Sequence, residues 1–404
     1  MPGIVIIGGG MAASRTCINL RGNAYEGPIT LIAGENLLPY DRPPLSKSSI
    51  TDDAEPQPIW LMDHDIAASL KLDVRLGVAA TAIDRADHTV SLSDGTTLPY
   101  TKLLLATGAN PRKLPMVGGE NALLLRTHAD AVALRHRFQA GKNIVVIGGG
   151  FIGLELASSA IKRGCNVTLI EAQPRILMRG VPETIAKIVH DRHVAAGVTV
   201  ITGTGIATLS KDAVTLTDGR SFPADTVIAG IGASPEIALA EKAGLAIENG
   251  IACDARMQTS DPDIFAAGDC ASFINERFAG RRIRLEAWRS AQEQAATAAD
   301  NMLGAGKVHV SVPWFWSDQY DLSLQIAGLP DMGSQIVTRI PSEGAIILFH
   351  LTSDGELVGA SGIGPGNSIA RDIKLAEMMI AKRLSPSPTV LADAAQPLKA
   401  LLKG

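Results

Sequence analysis

Ile4-Val-Ile-Ile-Gly-Gly-Gly-Met-Ala-Ala13 recurs in outline 140 residues later, as Ile144-Val-Val-Ile-Gly-Gly-Gly-Phe-Ile-Gly153. Each copy joins a β-branched run to a glycine cluster and a helical stretch, and a second apolar strand follows. The expected helices are roughly Met11–Arg21 and Phe151–Arg163, and the strands after them are Ile29–Ala33 and Asn166–Ile170. This order, found twice, predicts two βαβ nucleotide-binding units, each in its own parallel sheet.

The second copy contains the glycine pattern of a dinucleotide site, Gly148-x-Gly150-x-x-Gly153. The first glycine permits a tight turn, the second lets a pyrophosphate approach the backbone, and the third lets helix and strand pack closely. The phosphates then lie at the helix N-terminus, where free N–H groups and the dipole favour negative charge. Glu171 ends the next strand, where a carboxylate accepts from both ribose hydroxyls and repels a 2′-phosphate. We therefore expect NADH to be preferred over NADPH, with Arg175 close enough to moderate the preference.

The first copy contains Gly8-x-Gly10-x-x-Ala13, an allowed variant with alanine in the third position, and its strand-end acid is Glu35. A tight strand–helix turn without a ligand is the alternative for one such motif, but two complete copies predict two dinucleotides. The common pairing is tightly held FAD with exchangeable NAD(P)H, because hydride passes from nicotinamide to flavin. Asp269 follows the strand-like Ile264–Gly268, and we expect it to bind the ribityl chain or to lie near the pyrophosphate. The alternative for Asp269 is a helix cap.

Shorter patterns describe the rest of the chain. Alternating stretches before Asp94-Gly95 and Asp218-Gly219 predict antiparallel hairpins beside each parallel sheet. After about residue 312 come three β-like runs and an amphipathic helix, at Ser334–Thr338, Ala345–Leu351, Leu357–Ala360 and Ile369–Arg383. These patterns predict an α/β protein with two Rossmann-like dinucleotide-binding domains and a C-terminal α+β domain. His190-x-x-His193 has helical spacing that could hold a metal, but without further ligands we expect a solvent-facing pair.

The composition excludes several classes of protein. The 404 residues hold 37 Lys+Arg against 41 Asp+Glu, a formal net charge of −4, whereas nucleic-acid-binding proteins usually have a basic excess. The N-terminus lacks the features of a signal peptide, and no apolar run nears the roughly 18 residues that span a bilayer. Cys17, Cys165, Cys253 and Cys270 form no Cys-x-x-Cys pattern, so reduced, mostly buried thiols are expected. The prediction is a soluble cytoplasmic protein without a metal site.

Motifs along nearly the whole chain resemble those of a known family. They are Pro39-Tyr-Asp-Arg-Pro-Pro-Leu-Ser-Lys47, Ala106-Thr-Gly108, Gly148–Glu155, Gly230-Ile-Gly232, Thr259–Asp269, Glu286–Gln292 and Pro313-Trp-Phe-Trp-Ser-Asp-Gln-Tyr320. The chain resembles the FAD-dependent NADH:ferredoxin reductases of bacterial oxygenase systems, which serve aromatic-ring dioxygenases and haem–thiolate monooxygenases. The resemblance implies a glutathione-reductase-like arrangement. An FAD-binding domain, 1–109 and 235–311, would flank an NAD-binding domain, 110–234, and a C-terminal interface domain, 312–404, would follow.

The resemblance also implies roles for individual residues. Lys47 would lie near the reactive N5 of the flavin, where an ammonium stabilises the negative charge of the reduced ring. Glu155 would pair with Lys47 and respond to the nicotinamide, and Trp316 would lie beside the ring or at the electron exit. The other implied cofactor contacts are Arg42, Pro43, Ala106, Thr107, Gly108, Gly232 and Trp288. Without the resemblance, Lys47 is an ordinary solvated lysine, Glu155 a residue on a polar helix face and Trp316 a core residue.

The expected chemistry is a relay in which NADH reduces FAD and the flavin passes single electrons to a 2Fe-2S ferredoxin. Such ferredoxins are commonly acidic, so a basic docking patch is expected near the flavin edge. The candidates are Arg281-Arg-Ile-Arg284, Arg289 and the pair Arg371 and Lys374, and solvated charged faces are the alternative. The oligomeric state is expected to be a monomer or a weak dimer.

Three alternative functions stay open at this point. A disulfide, peroxide or oxygen reductase of the same broad fold needs a redox-active cysteine near the flavin, but Leu45-Ser46-Lys47 occupies that region. An NADH-sensing flavoprotein of the apoptosis-inducing type shares the Lys–Glu pair, but it would need a basic surface, a targeting segment or a long insertion. A rubredoxin reductase differs only in its partner protein.

Overall fold

The computed structural model describes residues 2–403, in which the β-branched runs form strands and the stretches between them form helices. In chain order the strands are β1 Gly3–Ile7, β2 Ile29–Ala33, β3 Leu72–Leu76, β4 Ala80–Asp84, β5 Thr89–Leu92, β6 Thr97–Leu105, β7 Ala109–Pro111, β8 Asn143–Ile147, β9 Asn166–Glu171, β10 Thr199–Thr202, β11 Ile206–Leu209, β12 Ala213–Leu216, β13 Ser221–Pro223, β14 Thr226–Ala229, β15 Ala233–Pro235, β16 Ile251–Cys253, β17 Ile264–Ala266, β18 Ala271–Asn275, β19 Arg281–Ile283, β20 Trp314–Gln319, β21 Leu322–Gly328, β22 Gln335–Arg339, β23 Ile346–Leu351 and β24 Leu357–Pro365. The helices are α1 Met11–Gly22, α2 Ser48–Thr51, α3 His64–Ser69, α4 His128–Arg137, α5 Phe151–Lys162, α6 Glu183–Ala195, α7 Ala238–Lys242, α8 Trp288–Met302, α9 Ala370–Ala381 and α10 Pro388–Ala392.

These elements are divided between two units. The first unit consists of Met1–Arg42, Pro58–Asn110 and Ser234–Ser311, and the second of Pro43–Gln57, Pro111–Ala233 and Val312–Gly404. The segment 43–57, which the sequence places inside the predicted FAD-binding domain, thus belongs to the second unit. The second unit also contains nearly all of 110–234 together with the whole range 312–404, and the division into three domains stays a prediction.

The first unit is built around a mixed sheet with the strand order β3-β2-β1-β6-β5-β4, in which β17 also pairs with β6. β1 runs parallel to β2 and β6, and it is buried along its whole length. A strand that is covered on both faces is uniformly apolar, which explains its unbroken β-branched run. β4, β5 and β6 are antiparallel neighbours, as are β12 and β13 in the second unit. Both predicted hairpin regions are thereby confirmed.

Helix α1 leaves the first glycine loop and packs against α8 within the first unit. Both helices bury small residues, including Ala12 and Ala13 on α1 and Ala295 and Ala298 on α8. Small side chains allow helix backbones to approach closely, so α8 packs tightly against the helix that follows the glycine loop.

The second unit contains a parallel sheet with the order β10-β9-β8-β14, and α5 follows the central strand β8. One apolar core in this unit includes Ile50 of α2, Leu154 of α5, and Leu324, Leu348 and Ile363 from the C-terminal strands. Packing therefore joins the short α2 segment, the parallel sheet and the C-terminal sheet, although they are far apart in sequence.

The C-terminal part of the second unit is an antiparallel sheet with the order β20-β21-β24-β23-β22, covered by α9. The predicted runs correspond to β22, β23 and β24, and the predicted helix corresponds to α9, each within a few residues of its expected ends. The α/β fold class is confirmed, with a βαβ unit that contains a glycine loop in each of two sheets and a C-terminal α+β region.

Candidate functional site

In the loop between β1 and α1, the two glycines of the first motif differ in how much space surrounds them. Gly8 has a φ of +144°, and a Cβ there would overlap the carbonyl oxygen of Ala106. Gly10 is the N-cap of α1, and among the described residues nothing lies within 4 Å of where its Cβ would be. Ala13 is fully buried. The backbone at Gly10 thus faces open space, as the approach of a pyrophosphate requires, whereas Gly8 is required by the fold itself.

The loop between β8 and α5 repeats this arrangement in the second unit. Gly148 has a φ of +108°, and a Cβ there would overlap the carbonyl oxygen of Gly230. A Cβ at Gly153 would overlap the carbonyl oxygen of Gly148, so the helix can pack this closely only with glycine at position 153. At Gly150 the nearest atom to a Cβ is 3.9 Å away, which again leaves the middle position open. Gly232, in the connection between β14 and β15, has a φ of +103°.

The N-termini of α1 and α5 fit the phosphates of a dinucleotide. In the described chain, neither helix has a side-chain cap or an acidic residue in its first turn. The first N–H groups of a helix have no partner inside the helix, and their dipole favours a bound anion. Together with the open backbone at Gly10 and Gly150, these ends form two cradles suited to two dinucleotides.

The acid at the end of β9 is held by backbone N–H groups. Glu171 accepts from the N–H of Gly149 at 2.7 Å and from that of Gln173 at 2.8 Å, so both carboxylate oxygens are fixed. The guanidinium of Arg175 instead donates to three carbonyls of the following loop, at Ile176, Leu177 and Val181. The negative charge of Glu171 therefore lies at the glycine loop, while Arg175 holds the loop together.

The corresponding acid of the first unit lies in a different environment. Glu35 accepts from the hydroxyl of Tyr40 at 2.7 Å and forms an ion pair with Arg42 at 2.7 Å. The guanidinium of Arg42 also lies 5.1 Å from the centre of the Tyr40 ring. The resemblance implied that Arg42 borders the flavin, but in the structure it pairs with the acid expected at the adenosine ribose. Its contact with the cofactor stays a prediction.

The strand ends of the first unit hold the other implied cofactor residues. Ala106 directly follows β6 and is buried. The hydroxyl of Thr107 donates to the carbonyl of Glu236 at 2.6 Å, and Gly108 has a φ of +74°. These contacts fix the backbone of the Ala-Thr-Gly motif. Their role in cofactor binding stays a prediction.

Asp269 and Trp288 lie at ends of elements in the same unit. Asp269 lies in the turn between β17 and β18, so the alternative that it caps a helix is wrong. Its carbonyl accepts from Arg284 at 3.2 Å. Trp288 begins α8, and its indole N–H donates to the carboxylate of Asp41 at 2.7 Å. This bond fixes the orientation of the indole ring.

Glu155 and Lys47 form an ion pair inside the second unit. The Nζ of Lys47 lies 2.8 Å from Oε2 of Glu155, whose side chain is only 4% exposed. Ser46 donates to the same oxygen at 2.5 Å, and Ser317 donates to Oε1 at 2.6 Å. Lys47 also donates to the carbonyl of Pro43 at 3.3 Å. The alternatives of a solvated lysine and a polar-face glutamate are therefore wrong, because Lys47 is paired and Glu155 is buried.

The segment with Lys47 is anchored to the helices of the second unit. Ser159, one turn after Glu155 on α5, donates to the carbonyl of Ser46 at 2.6 Å. The buried guanidinium of Arg135 on α4 donates to the carbonyls of Ile50, Asp52 and Asp53. These bonds explain why 43–57 belongs to the second unit, and they fix the backbone that positions the Lys47 ammonium.

Strand β20 presents different residues on its two faces. Trp314 and Trp316 stack, with ring centres 5.2 Å apart, which confirms that residues i and i+2 share a face. On the opposite face, Phe315 contacts Phe151 of α5 at 4.4 Å between ring centres, and Ser317 reaches Glu155. Both tryptophans are only partly buried, so neither belongs to the apolar core. The electron-transfer role of Trp316 stays a prediction.

His193 is buried, so the prediction that it faces solvent with His190 is wrong. The ring is fully buried, with Nε2 2.8 Å from Oε1 of Gln319 and Nδ1 3.2 Å from the Tyr320 hydroxyl, so it is not part of a solvent-facing pair. Val189, one turn earlier on α6, is also buried. This i, i+4 spacing is a signal in the sequence that places His193 on the apolar face of the helix.

Other expectations concern metals, thiols and membranes. Among residues 2–403 no group of three or more His, Cys, Asp or Glu side chains is placed to hold a metal ion. The four cysteines are free and buried, as predicted, and burial raises the pKa of Cys17 to about 12. In the same range, every helix is too short or too polar to cross a membrane.

Most of the basic residues predicted to dock the ferredoxin form ion pairs with acidic residues of this protein. The pairs are Arg282 with Glu248 at 2.9 Å, Arg284 with Glu286 at 2.8 Å, Arg289 with Glu293 at 3.0 Å and Lys374 with Glu377 at 3.0 Å. Arg371 is exposed on α9. The docking patch stays a prediction, and its net positive charge is reduced by these neighbours.

Comparison with known proteins gives matches along nearly the whole chain. The pyridine nucleotide-disulphide oxidoreductase family matches residues 2–295, and the reductase C-terminal family matches residues 314–402. The ferredoxin–NAD(+) reductase component of the anthranilate 1,2-dioxygenase system of Burkholderia cepacia is 42% identical, with 98% of each chain covered. Putidaredoxin reductase of Pseudomonas putida is 36% identical over 99% of this chain and 96% of that one.

A solved structure is similar over the same range. The covalent putidaredoxin reductase–putidaredoxin complex matches with a TM-score of 0.93 at 36% identity, covering 100% of this chain and 98% of that chain. The matches thus include both glycine cradles and the C-terminal sheet. The chain belongs to the pyridine nucleotide-disulphide oxidoreductase family, in the group of ferredoxin–NAD(+) reductases that have a C-terminal reductase domain.

Proposed function

We propose that the chain is an NADH-dependent ferredoxin reductase, a flavoprotein that transfers electrons from NADH through FAD to a 2Fe-2S ferredoxin serving an oxygenase. The observation that carries this proposal is the pair of open dinucleotide cradles in a chain similar to ferredoxin–NAD(+) reductases over its full length. When bound, FAD accepts a hydride from NADH and gives up electrons one at a time.

In this proposal the two cradles hold different nucleotides. The N-terminus of α1 and the open backbone at Gly10 bind the FAD pyrophosphate, and Glu35 binds its ribose. The N-terminus of α5 and Gly150 bind the NADH pyrophosphate, and Glu171 accepts from its ribose hydroxyls. In this role the protein binds each nucleotide and supplies neither a nucleophile nor a general base.

The ion pair of Lys47 and Glu155 provides the local electrostatics. The ammonium supplies positive charge to the reduced flavin ring, and the buried carboxylate keeps the ammonium in place. Trp316 is partly exposed on β20 and would line the exit for electrons. Support for these roles comes from the pairing inside one unit and from the resemblance of the surrounding motifs.

The same observations weigh against the alternative functions. All four thiols are buried, so no described cysteine is placed as an accessible redox group. The full-length relatives in oxygenase systems are ferredoxin reductases, which favours a ferredoxin over a rubredoxin as partner. We also propose a cytoplasmic location, which suits free thiols and an NADH substrate.

The test is NADH-driven reduction of cytochrome c by the purified FAD-loaded protein, with and without a 2Fe-2S ferredoxin. The expected result is a low rate for the protein alone and a large increase when ferredoxin is added. Repetition with several ferredoxins and one rubredoxin then ranks the partners. Fast flavin reduction by NADH without stimulation by any ferredoxin would contradict the proposal and favour oxygen reduction or a signalling role.

A further inference from the structure

A chain of side-chain hydrogen bonds ends on the carboxylate of Glu155. Ser317 donates to Oε1 of Glu155 at 2.6 Å, and the amide nitrogen of Gln319 donates to the hydroxyl of Ser317 at 3.1 Å. The amide oxygen of Gln319 lies 2.8 Å from Nε2 of His193, and the hydroxyl of Tyr320 lies 3.2 Å from Nδ1 of the same ring. All five residues belong to the second unit.

The chemistry of the side chains determines which group donates in each of these hydrogen bonds. The carboxylate that pairs with Lys47 only accepts, so Ser317 must donate its single hydroxyl proton to Glu155. The oxygen of Gln319 also only accepts, so Nε2 of His193 carries a proton. Burial lowers the pKa of His193 to about 4, so the ring is neutral at pH 7 and its Nδ1 accepts from Tyr320. All donors therefore point towards Glu155.

These hydrogen bonds are buried, so water cannot readily replace a donor that is lost. The side chains of Glu155, Ser317, Gln319 and His193 are all less than a tenth exposed. The two carboxylate oxygens have different donors, because Oε2 binds Lys47 and Ser46 whereas Oε1 binds Ser317. Removal of the Ser317 hydroxyl would leave the buried oxygen Oε1 without this donor, so the contacts of Oε2 with Lys47 and Ser46 would have to hold the carboxylate.

The strand that provides Ser317 also explains how the contact is built. Ser317 and Gln319 occupy alternate positions of β20 and therefore lie on the face that meets α5 and α6. This face is the opposite one to that of the stacked tryptophans. The C-terminal sheet thus reaches the buried carboxylate directly.

We propose that Ser317 is a positioning residue for Glu155, oriented by Gln319 and His193, and that it holds the carboxylate where it fixes the Lys47 ammonium. The inference rests on the proposed function, because Lys47 acts on a flavin only if FAD and NADH bind as described above. Its consequence is that the C-terminal sheet contributes to the reduction of the flavin by NADH, and not only to the delivery of electrons.

The test compares Ser317→Ala, Glu155→Ala and the double variant, all loaded with FAD, by rapid mixing with NADH. For Ser317→Ala we expect the limiting rate of flavin reduction to fall about tenfold, with the half-saturating NADH concentration and the FAD content changed by less than about twofold. In the Glu155→Ala background the Ser317 substitution should have no further effect on the rate. Ser317→Thr, which keeps the hydroxyl, should recover most of the lost rate.

A second readout does not depend on activity. The urea midpoints of the same FAD-loaded proteins should be non-additive, because Ser317 and Glu155 share one hydrogen bond. Ser361→Ala is the matched control, since its buried hydroxyl bonds His350 at 3.2 Å in the same sheet; this variant should lower the midpoint and leave the rate unchanged.

Two outcomes overturn the inference: an unchanged limiting rate in Ser317→Ala, or an equal fall in the presence and absence of Glu155. Absence of flavin reduction in the unmodified protein would instead contradict the proposed function, so the two failures are distinguishable.

Discussion

At the scale of single residues, we expect Glu171 to set the preference between NADH and NADPH. Its carboxylate is fixed by the N–H groups of Gly149 and Gln173, so the negative charge stays at the glycine loop. A 2′-phosphate brought to this position would meet that charge directly. The guanidinium of Arg175 donates to carbonyls of the following loop, so these bonds do not direct it to the Glu171 carboxylate.

We predict that Glu171→Ala raises the ratio of kcat/KM for NADPH to that for NADH at least tenfold, a change of about 1.4 kcal/mol in relative transition-state stabilisation. Steady-state kinetics with both nucleotides measure the ratio. Asp191→Ala is the control, because it removes an exposed carboxylate of the same unit that pairs with Lys187. An unchanged ratio in Glu171→Ala would show that nucleotide preference is set elsewhere.

The individual site residues differ in how far the sequence could predict them. The glycines and Glu171 follow from local spacing, because loop, helix and strand are adjacent in the chain. Ser46 and Ser317 do not, since they meet Glu155 across 109 and 162 residues of sequence and belong to no nucleotide motif. Lys47 is predicted only by the resemblance, because a lysine shortly after two prolines has no local feature that distinguishes it.

At the scale of elements, each glycine loop contains two kinds of glycine. One is required by the backbone conformation and packing, and the other has free space where a side chain would be. Gly8 and Gly148 have positive φ, and a side chain there would overlap a neighbouring backbone. Gly10 and Gly150 have backbone angles that other residues adopt and have space around them. Substitution at the two kinds of position should therefore have different consequences, one for folding and one for binding.

We predict that Gly150→Ala folds with its full FAD content but requires at least tenfold more NADH for half-saturation, because the added methyl group occupies the space for the pyrophosphate. Gly10→Ala should fold and lose FAD instead. Absorbance of bound flavin, NADH titration and circular dichroism distinguish the cases. Gly148→Ala is the contrasting variant, expected to unfold at lower temperature. Normal NADH saturation in Gly150→Ala would argue against the second cradle.

The elements themselves were largely predictable, and their assembly was not. The βαβ units, the hairpins and the C-terminal helix follow from hydrophobic periodicity and turn residues. The assignment of 43–57 to the second unit depends on Arg135 and Ser159, which bind its carbonyls from helices more than 80 residues away. Periodicity contains no information about such distant partners.

At the scale of the whole molecule, three buried histidines link stability to pH. Burial lowers the pKa of His193, His309 and His350 from 6.5 to about 4 each. Below pH 6.5 the unfolded chain therefore binds protons that the folded protein does not bind until about pH 4. The free energy of unfolding should be independent of these groups above pH 6.5 and should decrease as the pH falls from 6.5 to 4.

We predict a slope of about 1.4 kcal/mol per pH unit for each such histidine, measured by urea unfolding between pH 7.5 and 4.5. His350→Gln should remove the contribution of one proton from the slope, whatever it does to stability at pH 7. His88→Gln is the control, because His88 is more than two-fifths exposed. An identical slope in His350→Gln would mean that the ring is accessible to protons in the folded protein.

Association with the ferredoxin is also a property of the whole molecule. If Arg371 and its neighbours form a basic docking patch, the apparent KM for ferredoxin should rise several-fold between about 50 and 300 mM salt, because screening shortens the range of surface charges to roughly 10 Å or less. The KM for NADH serves as the internal reference. A KM for ferredoxin that does not change with salt would remove the basic patch and indicate an apolar interface.

The segment 43–57, which hydrogen bonds from α4 and α5 anchor, also limits how parts of this enzyme can be exchanged with those of a relative. A graft that replaced only 111–233, in order to exchange nucleotide preference with a relative, would separate Lys47 from the host helices that secure it. Functional chimaeras should therefore take the segment 43–57 and β20 from the same parent as α5. The part of the enzyme that has to be exchanged as a whole is therefore discontinuous in sequence. The segment 43–57, α5 and β20 are expected to change together in evolution.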